Sequence, residues 1–110
     1  MYMKLIIAIV NHDDSSEVQT HLTEGGFFVT KLASTGGFLK KGNTTFLIGT
    51  NDDKVDDVIE IIKAHAKKRV VSQQTVPSTD INELFTPIMV DILVGGATIF
   101  VVDVDRFEKV

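Results

Sequence analysis

The sequence predicts an α+β fold, an antiparallel sheet with two helices on one face in the order β-α-β-β-α-β. Three observations point there. Leu5 to Val10 is apolar at every position, as in a strand covered on both faces. Two stretches that open on Asn and Asp residues then carry apolar side chains at helical spacing. Between them lie two segments rich in β-branched and aromatic residues, joined through glycines.

The first strand ends at Asn11-His12-Asp13-Asp14. A helix is expected from about Ser15 to Glu24, with Asp14 as its cap and Glu17 as the reciprocal partner. Val18 and Leu22 stand four apart and mark its inner face. Gly25-Gly26 ends it, since glycine accepts the left-handed turn after a helix. Phe27 to Thr35 reads as the second strand and Thr44 to Thr50 as the third. The glycines of the Gly36 to Asn43 connection favour an antiparallel hairpin. Asn51-Asp52-Asp53 caps a second helix over about Lys54 to Lys68, with Val55, Val58, Ile59 and Ile62 inward. Lys67-Lys68-Arg69 complements its dipole. Residues 70–87 are polar, hold both prolines (Pro77 and Pro87) and read as one long loop. Ile88 to Val94 and Ala97 to Val104 are two further strand segments around Gly95-Gly96, so the last strand is split or paired. This order is the ferredoxin-like arrangement.

Two helices shield one side of such a sheet. Leu5, Ile7 and Ile9 alternate with Ile6, Ala8 and Val10, and all six are apolar. Ile99 and Val101 alternate in the same way with Phe100 and Val102. An apolar face left open predicts packing against further copies of the chain.

At 110 residues the chain is expected to be one domain over 1–110. Its net charge of −4 argues against a DNA or RNA partner. The absence of cysteine removes disulfides, thiol catalysis and thiolate-bound metal. The apolar run at the start is too short for a signal sequence or a membrane span, so a cytoplasmic protein without membrane insertion is expected.

No catalytic constellation stands out. His12, His21 and His65 show no metal spacing, no serine sits in a Gly-x-Ser-x-Gly turn, and Gly42-Asn43-Thr44-Thr45 is not a Walker loop. The expectation is no enzyme, no metal and no cofactor. The stretch from Thr35 to Thr45 is denser in possibilities. Gly36-Gly37 lets backbone amides approach a ligand, Phe38 and Leu39 are apolar in a turn, and Lys40 and Lys41 can neutralise phosphate. Asn43, Thr44 and Thr45 add hydrogen-bonding groups. Composition allows two readings, a ligand cradle or a plain hairpin whose Phe38 and Leu39 plug a subunit interface. Gly95-Gly96-Ala97-Thr98 is open in the same way, to a bulge or to a ligand's approach.

Lys31-Leu32-Ala33-Ser34-Thr35-Gly36-Gly37-Phe38-Leu39, Gly42-Asn43-Thr44-Thr45-Phe46 and Val94-Gly95-Gly96-Ala97-Thr98 resemble the PII-like cyclic di-AMP receptors of Gram-positive bacteria. The resemblance implies a PII-like homotrimer of ferredoxin-like subunits. It implies a non-catalytic signal transducer that holds cyclic di-AMP between subunits and is read by an unknown downstream protein. Carried over position by position, the binding residues are Thr30, Gly37, Phe38, Leu39, Asn43, Thr45, Gly49 and Phe100. Gly26 and Phe28 stand where the family usually has Asn and Arg, and Lys109 where Gln is common. The alternative is a PII-like protein-interaction module that has lost cyclic di-AMP binding or binds another nucleotide.

Overall fold

The computed structural model describes residues 3–32, 42–75 and 88–110. Its elements are β1 (Met3–Asn11), α1 (His12–Glu24), β2 (Val29–Leu32), β3 (Asn43–Asn51), a 3-10 turn (Asp52–Lys54), α2 (Val55–His65), β4 (Arg69–Thr75), β5 (Ile88–Val94) and β6 (Ala97–Asp103). The fold is α+β and ferredoxin-like. Four strands form one antiparallel sheet in the order β2-β3-β1-β6, and β4 and β5 pair separately.

Side chains alternate across a strand, so parity sorts β1. Ile6, Ala8 and Val10 are buried, and their partners on β3 are Ile48, Phe46 and Thr44, also buried. Val18 and Leu22 of α1 and Val58 and Ile62 of α2 close this core from above, with Ala66 at its edge. These are the inner positions read from helical spacing, apart from Val55 and Ile59, which are half-buried.

The boundaries differ from expectation for local reasons. Helix α1 starts at His12, because Asn11 is its cap and accepts a hydrogen bond from the Asp13 amide at 2.9 Å. Asp14 is therefore in the first turn, buried, and bound to Arg69 rather than capping. The helix ends in a Schellman turn. Gly26, at φ +89°, donates to the Thr23 carbonyl, and Phe27 donates to that of Leu22. Phe27 is thus used in the turn, and β2 begins at Val29 rather than Phe27; Thr35 lies outside the described residues.

Helix α2 stops at His65, short of Lys68. The Ala66 carbonyl is taken by the Gly96 amide, and the Lys67 carbonyl by the Arg69 guanidinium at 3.0 Å. The chain then leaves as β4. The expected loop at 70–87 is corrected here: residues up to Thr75 are strand, paired from Arg69↔Val94 to Thr75↔Ile88. Its polar sequence carries no burial pattern of its own, and backbone pairing with β5 supplies the strand. The rest of that stretch, with Pro77 and Pro87, lies outside the described residues. The two segments after it are separate strands in separate sheets. The corner between them is Gly95-Gly96, both at positive φ (+86° and +84°), where a Cβ on Gly95 would run into the Lys67 carbonyl.

Candidate functional site

The odd-numbered positions of β1 face away from the helices. Pairing builds rows across that face. Leu32, Thr45, Ile9 and Thr98 form one, and Thr30, Leu47, Ile7 and Phe100 form the next. Gly49, Leu5 and Val102 form the third. No described helix lies over this side. Phe100 remains 53% exposed and Val102 45%, values far from those of a core.

The residues singled out from sequence fall into this frame. Thr30, Thr45, Gly49 and Phe100 stand in its three rows. Asn43 opposes Asn11 at the end of β3 and shares its parity with Thr45 and Gly49. One face of the sheet thus gathers five positions drawn from three strands. Gly37, Phe38 and Leu39, with Gly36, Lys40 and Lys41, lie outside the described residues.

Thr45 is the least comfortable member of the set. It is 4% exposed, and its Oγ1 has no hydrogen-bond partner among the described residues. Its neighbours across the sheet, Ile9 and Leu32, are aliphatic and offer none. A buried hydroxyl without a partner is a standing cost. Its neighbour Thr44, on the helix side, meets His12 Nδ1 at 3.3 Å.

Grooves mark both ends of the sheet. One, of about 510 Å³, is lined by Met3, Gly26, Phe28, Gly49, Asn51 and Lys54 among others. It joins the predicted Gly49 to Gly26 and Phe28, two of the three positions at which the chain departs from the resembled family. Phe28 is 87% exposed, and the Lys109 ammonium lies 6.0 Å from its ring centroid, at cation–π distance. The other groove, of about 280 Å³, takes in Asn43, Gly96 and Thr98. Thr30, Thr45 and Phe100 line neither groove and lie on the open sheet between them. Among the described residues, such a surface offers small hydroxyls, backbone groups and apolar contact.

A family model described as "Cyclic-di-AMP receptor" matches residues 3–110. The chain belongs to the cyclic di-AMP receptor family. A GlnB-like protein of the nitrogen-fixation nifHD region from Methanothermococcus thermolithotrophicus is 38% identical over a 77-residue alignment, covering 58% of this chain and 73% of that relative. This similarity agrees with the PII-like superfamily and supports a PII-like signalling role. A crystal structure of a functionally unknown protein from Pediococcus pentosaceus superposes with a TM-score of 0.72 at 40% identity. The two cover 100% of this chain and 99% of the other. No described helix of this family member is long and apolar enough to cross a membrane.

Sequence reasoning missed two features. One is the Asp14–Arg69 pair, which depends on where β4 starts. The other is a meeting of Glu17, His21 and His65 on the opposite side of the molecule. The four-residue step from Glu17 to His21 was a readable signal for half of it.

Proposed function

We propose that the protein is a non-catalytic PII-like signal transducer that binds cyclic di-AMP between the subunits of a homotrimer. The observation that carries this reading is the sheet face over which no described helix lies, with a Thr45 hydroxyl that has no partner among the described residues. Family membership supports cyclic di-AMP as the ligand, and the five positions on that face carry hydroxyl, amide and apolar groups of the kind that contact a dinucleotide. An open face also explains why one chain forms grooves rather than a closed cavity. A neighbouring copy laid on Leu5, Ile7 and Phe100 covers the apolar rows and completes the walls. Cytoplasmic location and a downstream protein partner go with this reading.

The test is calorimetric titration of cyclic di-AMP, with the mass measured by light scattering. Saturable binding to a trimer is expected. Absence of heat and of a thermal shift at high micromolar nucleotide overturns the ligand, and a monomeric mass at micromolar protein overturns the shared site.

A second reading has its own observation. Phe28, exposed at the groove beneath Lys109, suits an apolar protein contact better than a phosphate. A partner captured regardless of added nucleotide, and lost on Phe28→Ser, supports an interaction module that has lost cyclic di-AMP binding or takes another nucleotide. A thermal-shift screen including ATP separates those two.

A further inference from the structure

Helices α1 and α2 lie side by side, and their seam faces away from the open side of the sheet. Glu17 and His21 stand one turn apart on α1, and His65 is the last residue of α2. The two imidazoles are stacked, with centroids 3.6 Å apart and planes 17° from parallel. Glu17 Oε2 lies 3.8 Å from His21 Nδ1 and 4.0 Å from His65 Nδ1. All three side chains bring one ligating atom within 4.8 Å of the others.

These distances are too long for hydrogen bonds, so the three groups converge without satisfying one another. We propose that Glu17, His21 and His65 form a binding site for a divalent transition-metal cation of the Zn²⁺ class. Two imidazoles and one carboxylate are a fitting donor set, with metal–ligand distances of about 2.0–2.2 Å. Tetrahedral ligands then stand about 3.3 Å apart, so separations of up to 4.8 Å close by as much as about 1.5 Å and the rings tilt out of their stack.

Two features favour that closure. His21 Nδ1 lies 2.8 Å from the Glu17 carbonyl oxygen. A carbonyl accepts, so Nδ1 carries the proton and Nε2 is the nitrogen left to ligate; the 3.8 Å approach of Glu17 is to the protonated Nδ1, and the ring presents Nε2 to the cation as the cluster closes. The Glu17 side chain is 69% exposed and free to swing inward, while the His65 and His21 side chains are partly buried and need little ordering. The solvent side of the seam leaves the fourth position to water.

The test uses untagged full-length protein stripped with chelator, without nucleotide. Zn²⁺ is titrated by calorimetry, and Cu²⁺ serves as a paramagnetic probe of the histidine ring protons, being the tighter binder of the two. One Zn²⁺ per chain is expected, with His21 and His65 broadened together by Cu²⁺ and His12 unaffected. Glu17→Gln should weaken Zn²⁺ more than about tenfold and His65→Asn more than that, by comparison with the 10–100-fold typical of lost supporting groups. Far-UV circular dichroism in chelator establishes that each variant is folded, and Glu17→Gln alters an exposed side chain. Absence of binding at sub-millimolar Zn²⁺, binding that ignores both substitutions, or broadening centred on His12 overturns the site.

Discussion

Arg69, the first residue of β4, grips Asp14, in the first turn of α1, through guanidinium hydrogen bonds of 2.8 and 3.3 Å. Asp14 is 6% exposed, and Arg69 is the cation that its buried carboxylate meets. The Asp14 contact is also the main reason that the Arg69 guanidinium is held above its ordinary pKa. The pair ties the base of the β4–β5 arm to the core.

Removing one partner is therefore worse than removing both. Arg69→Met strands a buried carboxylate, whereas Asp14→Asn leaves a neutral amide that strands no buried charge. Urea denaturation should rank Arg69→Met as the least stable, with the double variant recovering part of the loss. Additive losses in the double variant would mean that the two residues do not interact energetically.

Thr45 offers a change that strengthens the fold and weakens the proposed function. Thr45→Val removes a buried hydroxyl with no described partner at almost constant shape. A gain of about 1 kcal/mol in unfolding free energy is expected, the scale of one unmet hydrogen bond. The same samples should bind cyclic di-AMP less tightly by calorimetry. A loss of stability would show that the hydroxyl is already satisfied in the folded chain.

The grooved end of the sheet makes a contrasting forecast. Gly26 sits at φ +89° with room for a Cβ among the described residues, and Asn is among the side chains that tolerate that backbone best. Installing Gly26→Asn with Phe28→Arg returns the usual family pair. One charge-assisted hydrogen bond to phosphate is worth about 1.5–3 kcal/mol, roughly a ten- to hundredfold gain in cyclic di-AMP affinity. Unchanged affinity would place the phosphates away from this end.

Lys4 gives a pH signature. Its ammonium bonds Asp103 directly across the β1–β6 pairing. That hydrogen bond is the largest influence on Lys4; burial opposes it, and the charges of Asp103 and Asp52 add to it, so the net shift is upward. A raised folded-state pKa means the contribution is whole below the ordinary lysine value of about 10.4 and fades as pH climbs through the higher one. The Tm gap between the native protein and Lys4→Met should hold from about pH 7 to about pH 9 and close in stronger alkali. A gap that is already closing between about pH 7 and about pH 9 contradicts this.

The fold was legible where burial leaves a period. Ile6, Ala8 and Val10, then Val18 and Leu22, then Val58 and Ile62, announce their elements because each faces the same core. The Asn11 cap was not legible against Asp14, since both side chains cap helices well and the strand's length decides between them. Strand β4 was hidden because Ser72, Gln73 and Gln74 are polar and their strand pairing is with Asp91, Val90 and Met89, well beyond any local pattern. On the candidate face, Asn43, Thr45 and Gly49 share a parity readable from a two-residue repeat. His65 had no comparable signal, because its approach to His21 depends on how two helices pack.

The split of β1 by parity has a consequence for how this sequence can drift. A change at Ile6 or Ala8 is judged by the chain's own folding, so few replacements survive there. A change at Leu5, Ile7 or Ile9 leaves that internal packing alone and alters only what the outer surface can meet. The same strand therefore lets recognition be rewritten at alternate residues while the ability to fold is inherited intact at those between.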